Sequence, residues 1–183
     1  MSEALWALGR GTGVASLVLI SLALVFGLVT RSGRPIGTLP RFSVALIHRN
    51  VSLLASVFVV IHVLSLLFDS SAQLKLVDLV LPFLGSYRPV WLGLGTLGVD
   101  LLIAVIVTSL LRRRIGQRAF RFVHWFSYAM FPVALFHSIF TGTDAATPWF
   151  IAVAVFCSAS VVAAAGWRLS HRFTEIPKLE AAR

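Results

Sequence analysis

The sequence predicts an all-α membrane protein, a bundle of five transmembrane helices with its N-terminus outside and its C-terminus in the cytoplasm. Three observations carry that expectation. Of 183 residues, 58% are hydrophobic and 13% charged, with mean hydropathy +0.91, whereas a soluble domain carries about twice that charged share. Apolar runs recur that are long enough, at about 1.5 Å per residue, to cross about 30 Å of hydrocarbon. Thirteen of the sixteen Lys and Arg residues lie in alternate connections between those runs. A soluble enzyme, a disordered tail and a disulfide-stapled secreted domain are excluded. Strands are excluded too, because the runs are apolar on all faces and an open sheet cannot cross lipid.

The first span, about 13–30, closes on Arg31 and Arg34 instead of a small-residue cleavage site, so no cleavable signal peptide is expected. The second, about 43–68, is entered through Arg41 and carries Arg49 near its start. The connection 69–89 is the longest. Its apolar piece, Leu76 to Leu84, is too short to span, and with Pro82, Gly85 and Pro89 it reads as an amphipathic segment on the outer surface or folded back over the bundle. Span three, about 90–111, holds Gly93, Gly95 and Gly98, which invite close helix approach. Arg112, Arg113, Arg114, Arg118 and Arg121 surround the turn into span four, about 119–140. Span five, about 147–167, leads to a tail, 168–183, with Arg168, Arg172, Lys178 and Arg183; it is far too short for a nucleotide- or flavin-binding domain. The opposite side has only Arg10, Lys75 and Arg88 as cations, and the positive-inside rule sets the direction.

The net charge of +9 is accounted for by this topology and by anionic lipid headgroups, with no nucleic acid partner. The single cysteine, Cys157, rules out an intrachain disulfide and multi-cysteine zinc or iron–sulfur sites, and reads as a small packing residue.

Histidine inside a membrane is a functional hypothesis by default. His48 and His62 lie in span two and His124 and His137 in span four; His171 belongs to the solvated tail. Each pair is separated by about 20 Å along its helix at about 1.5 Å per residue. Spans two and four run the same way, so His48 meets His124 on the cytoplasmic side and His62 meets His137 on the outer side. Two imidazoles at one level from two helices form a pair of axial ligands for a haem iron, and two levels form a two-haem ladder. The bland alternative is hydrogen bonding between helices. Zinc or copper is disfavoured, since no Cys or carboxylate completes a four-ligand set. The 14-residue step of the first pair keeps one helix face, whereas the 13-residue step of the second turns about 140° on an ideal helix. Pro132, between the latter two, permits a kink that would restore the phase.

With its spacings His48–x13–His62 and His124–x12–His137, and with "RRRIGQRAFRFVHWFSY" leading into the second pair, the chain resembles the ferric reductase-like transmembrane domain family over about residues 40–140. That family includes the membrane parts of NADPH oxidases and ferric reductases and the haem subunit of the bacterial methionine sulfoxide reductase system. "YRP" at 87–89 and "GTD" at 142–144 are similar to small bacterial members, which implies a bacterial plasma membrane. The resemblance implies two haem b groups, an inner one on His48 and His124 and an outer one on His62 and His137. It also implies the uneven 14/13 spacing, which the family itself uses. The family usually has six spans and its oxidases a flavin and nicotinamide domain. With five spans and no such domain, electrons are expected from a separate donor, a flavoprotein or a quinol.

Anionic haem propionates need cations or donors near the membrane surface. Arg49 and Arg121, with Arg41 and Asn50 nearby, are placed for the inner haem, and Arg88 for the outer. Asp100, a carboxylate inside span three, is read as a packed, neutral or hydrogen-bonded group, with proton handling as the functional alternative. Trp125, Phe126, Tyr128, Phe131, Phe136 and Phe140 cluster around the second histidine pair; they are candidates to pack haem faces or fill the gap between haems, although simple packing is the commoner role of such aromatics. The expected function is electron transfer from a cytoplasmic donor to an external acceptor. The rivals are a haem-free proton-coupled transporter or channel using the histidines and Asp100, and an assembly subunit that docks a redox partner.

Overall fold

The computed structural model describes residues 2–33, 35–70, 72, 74–85, 87–171 and 173. Arg34, Arg172, Lys178 and Arg183, and with them most of the 168–183 tail, lie outside the described residues. Within them the chain is all-helical, with one isolated bridge between Ile36 and Leu39 and no strand. The helices are α1 (Ser2–Ser32), α2 (Arg41–Leu67), α3 (Leu76–Val80), α4 (Pro89–Trp125), α5 (Ser127–Thr141) and α6 (Pro148–Leu169). Proline begins both α4 and α6, where its missing N–H costs no helix bond.

Four helical stretches among the described residues are long and apolar enough to cross a membrane: Glu3–Ser32, Arg41–Leu67, Pro89–Thr141 and Pro148–Leu169. The third has 53 residues, far more than the roughly 20 that one crossing needs. It doubles back at Gly116, whose φ of 83° and ψ of 159° belong to a region essentially closed to residues with a Cβ. Gly95 consequently lies against His137 and Gly98 against Val133, an antiparallel pairing.

Helix α1 is the hub of the bundle, packing on α2, α5 and α6. It runs antiparallel to α2, with Gly9 against Leu66, Gly13 against His62 and Gly27 against His48. Its buried hydroxyls return to their own helix: Thr12 donates to the Leu8 carbonyl, Ser16 to Thr12 and Ser21 to Val18. Such bonds satisfy a hydroxyl in an apolar surrounding; the Thr30 hydroxyl, also buried on α1, has no hydrogen-bond partner among the described residues. Leu17, Phe131 and Cys157 form the buried core where α1, α5 and α6 meet, so the cysteine is a packing residue. The outer face of α2 instead exposes Leu46, Leu53, Leu54, Val57, Val60 and Leu64. Such an apolar stripe is stable against lipid and a liability in water.

The connection before α4 packs on α4 through α3. Asp78 of α3 is buried, its carboxylate accepts the Lys75 N–H (3.0 Å), and its carbonyl accepts the Thr96 hydroxyl of α4 (2.5 Å). The bundle has a basic end and an opposite end. Arg31, Arg41, Arg49, Arg168 and the arginines around Gly116 gather at the first. The second carries the start of α1, the end of α2, α3 and the loop before α6.

Candidate functional site

The four intramembrane histidines come together as two pairs. The rings of His48 and His124 stand 6.5 Å apart between centroids at 87°, towards the basic end. Those of His62 and His137 stand 6.3 Å apart at 84°, towards the opposite end. Between His124 and His137 the helix is interrupted at Phe126. There the α4 ladder ends in a tightened turn, with Phe126 N–H bonding the Val123 carbonyl and Ala129 N–H bonding that of Phe126 (both 3.0 Å). Pro132 sits inside the continuous α5, so the interruption falls six residues before the proline.

Three imidazoles are oriented by the backbone of a neighbouring helix. Nδ1 of His62 donates to the Gly9 carbonyl (2.7 Å), Nδ1 of His48 to the Ala23 carbonyl (2.9 Å) and Nδ1 of His137 to the Trp91 carbonyl (2.9 Å). A carbonyl only accepts, so Nδ1 carries the proton and Nε2 keeps its lone pair. Each ring also rests on a glycine: a Cβ at Gly13, Gly27 or Gly95 would stand 2.9, 3.2 or 2.6 Å from Cε1 of His62, His48 or His137. Gly9 and Gly13, then Ala23 and Gly27, repeat along α1 at the same 14-residue interval that separates His62 from His48 on α2. Gly95 was legible in the sequence as part of a glycine stripe. The α1 glycines were not singled out, although their matching interval was there to be read.

Among the described residues no group of three or more His, Cys, Asp or Glu side chains converges, so neither level offers a tetrahedral protein site. Two facing imidazoles suit a metal that brings its own equatorial ligands. With about 2.0–2.1 Å per metal–nitrogen bond and about 1.1 Å from donor atom to ring centre, two trans imidazoles place their centroids about 6.3 Å apart. Both pairs therefore fit the axial positions of a haem. A cavity of about 470 Å³ borders His62 and His137, within the range of cofactor pockets. Leu17, Met130, Ala134 and Phe150 line its apolar part.

The cations divide differently from expectation. Arg49 is exposed; Arg121 is exposed and donates from Nε to the Gln117 carbonyl of its own helix (3.3 Å). Arg88 donates to the Phe140 carbonyl at the end of α5, three residues beyond His137. Two further cations, not anticipated, belong to this picture. Arg31 is close enough to His124 to interact electrostatically, and Arg10 lines the cavity in an ion pair with Asp144. Arg49 and Arg121 lie within about two turns of His48 or His124 in sequence, whereas Arg31 and Arg10 both come from α1.

None of Trp125, Phe126, Tyr128, Phe131, Phe136 and Phe140 borders the cavity beside His62 and His137. Trp125 and Tyr128 flank the Arg168 guanidinium at 5.2 and 5.7 Å, Phe131 belongs to the core, and Phe126, Phe136 and Phe140 are exposed on the lipid side. Asp100 is half-buried and does not line the cavity, although its neighbour Val99 does.

No curated protein and no solved structure matches the chain. A family model, ferric reductase like transmembrane component, matches residues 12–135, which takes in two thirds of α1, the glycines facing His62 and His48, and three of the four paired histidines. The chain belongs to the ferric reductase-like transmembrane family.

Proposed function

We propose that this chain is a di-haem b-type cytochrome that carries single electrons across a membrane, from a cytoplasmic donor to an external acceptor. Membership of a ferric reductase-like family, whose transmembrane domains generally bind haem, supports an electron-transfer role in a membrane oxidoreductase. The observation that carries the finer reading is the pair of facing imidazole couples, spaced as trans axial ligands and held by backbone carbonyls. His48 and His124 would hold the inner haem, and His62 and His137 the outer. Bound haem supplies one-electron chemistry and nothing in the electron steps asks for a nucleophile or a general acid.

The chain's own residues do the rest. The carbonyls of Gly9, Ala23 and Trp91 keep Nε2 deprotonated and aimed. Apolar walls exclude water and so hold back side reactions. Arg31, Arg49 and Arg121 stand at the basic end to offset inner propionates, and Arg88 serves the outer ones.

Reading the 53-residue stretch as two crossings that meet at Gly116 would bring the count to five, a reading supported by the left-handed backbone there. The gathering of basic residues at one end supports an outside N-terminus. The setting is an integral one in a bacterial plasma membrane, with a separate flavoprotein or quinol as donor. The test is a reduced-minus-oxidised visible spectrum of the purified protein with a haem count. About two low-spin b-type haems per chain support the reading, and a colourless protein made with adequate haem supply overturns it.

A further inference from the structure

The outer end of the cavity holds polar groups that neither axial ligation nor packing uses. Gly13 of α1 lies against His62, and Arg10 stands three residues nearer the outer end of that helix, about 60° round from the same face. On α5, His137 is followed four residues later by Thr141, about 40° round from its face. Arg10 and Thr141 thus stand about one turn beyond the imidazole level, on two different helices. Both line the cavity that borders His62 and His137.

Each has bonding capacity to spare. Arg10 donates from Nε to one oxygen of Asp144 (2.7 Å) and from Nη2 to the other. This side-on pair uses two of the five N–H groups and leaves three for a further acceptor. A guanidinium can bridge two carboxylates, one along each edge, because its donors lie in a rigid planar fork. The Thr141 hydroxyl is buried and has no hydrogen-bond partner among the described residues. Neighbouring hydroxyls return to their own helix, as Ser138 does to the Ala134 carbonyl (2.8 Å) and Thr12 to that of Leu8 (2.6 Å). Arg88, by contrast, does not line the cavity, and its guanidinium bonds the Phe140 carbonyl; it reaches the site only as a more distant charge.

We propose that Arg10 and Thr141 bind one carboxylate, a propionate of the outer haem, and that Asp144 is the positioning residue that holds the guanidinium by its other edge. The inference rests on the di-haem reading. It asks for an anionic acceptor at the outer rim of an otherwise apolar cavity, carried by a group that fills the space beside His62 and His137, and a haem propionate meets both demands. The charges then bear on the outer midpoint potential with predictable sign. A cation near the haem favours the less positive, reduced state, and a carboxylate favours the oxidised one. The Thr141 hydroxyl, by donating to the propionate, disperses negative charge and acts with Arg10.

The experiment is a haem count followed by spectroelectrochemical midpoints on the full chain in detergent. A chain without haem fails at the count, and that failure belongs to the di-haem reading itself. The component missing from His62→Ala identifies the outer level. Arg10→Gln shifts the outer midpoint downward, or strips the outer haem while the inner one stays, and Arg10→Lys, which keeps the charge, shifts it by less. Asp144→Asn still accepts from Arg10 but loses the negative charge, and shifts the midpoint upward. Thr141→Val shifts it downward, whereas Thr141→Ser leaves it in place. Opposite signs at Arg10 and Asp144 are not what a purely structural ion pair gives, since its loss from either side acts alike. If Arg10→Gln yields no folded protein, Arg10→Lys and the two Thr141 variants give the answer. An outer midpoint that Arg10→Gln or Thr141→Val leaves unmoved, or that moves no more than the inner one, overturns the proposal. An unmoved midpoint with weakened reduction of ferric citrate does so too, by assigning Arg10 to an external anion.

Discussion

Gly95 of α4 and His137 of α5 touch so closely that a single methyl group on the glycine would stand 2.6 Å from the imidazole Cε1. The ring cannot retreat freely, because its Nδ1 is tied to the Trp91 carbonyl one turn earlier on the same helix. Gly95→Ala is therefore expected to push His137 off its position, with an overpacking cost of about 1–3 kcal/mol. The haem count should fall from two per chain towards one. Gly98→Ala is the control, since its Cβ would meet Val133 at an ordinary 3.6 Å; equal loss in both variants would speak against a specific cradle.

The two imidazole pairs make a statement about which variants should look alike. His62→Ala and His137→Ala should each remove the same haem, and the double variant should be no worse than either single one. His48→Ala and His124→Ala should together define the other. Haem content and the low-temperature visible bands of the four single variants decide it. Four distinct phenotypes would contradict the pairing at 6.5 and 6.3 Å.

The rings within each pair are near-perpendicular, at 87° and 84°. Crossed axial planes leave two ferric d orbitals close in energy. The oxidised protein should accordingly give a strongly anisotropic low-spin electron paramagnetic resonance signal from both levels. A spectrum typical of parallel imidazole planes would mean that the rings rotate when the metal is bound.

Gly116 turns the chain with a φ of 83° and nothing within 4 Å of the place where a Cβ would sit. The cost of Gly116→Ala is then purely backbone strain, about 1–3 kcal/mol. At about 2–4 °C per kcal/mol for a chain of this size, thermal unfolding in detergent should move down by several degrees. An unchanged midpoint would show that the hairpin turns some other way.

The Arg10–Asp144 ion pair joins α1 to the loop before α6 at the mouth of the outer cavity, with side chains 42% and 14% exposed. That exposure limits its worth to about 1 kcal/mol or less. Arg10→Ala and Asp144→Ala should each lower thermal stability slightly, and the double variant should lose less than the sum. Strict additivity in this cycle would show that the pair contributes nothing.

Much of this was legible in the linear chain. Long all-round apolar runs admit only helices in lipid, so the helical class needed no tertiary information. The histidine intervals announced two levels because rise per residue is a property of the helix alone. Gly93, Gly95 and Gly98 announced a close approach. What escaped was whatever depends on a second helix. Arg49 and Arg121 were chosen for nearness in sequence to a histidine, while Arg31 and Arg10 reach the site across a helix contact. The aromatics near His124 and His137 left cofactor contact and simple packing open in the sequence, and the faces they occupy turn towards Arg168, the core or lipid.

By itself, then, the sequence determined that this chain is a helical membrane protein and that its four buried histidines stand at two depths, since hydropathy and helical rise are local properties. Only the tertiary structure decided which backbone carbonyl holds each of three rings, where the helix between His124 and His137 is interrupted, and that His124 alone goes without a carbonyl partner among the described residues. Those outcomes depend on the register between helices. Register is set by which glycine leaves room for which ring, a relation between residues that are far apart in the chain.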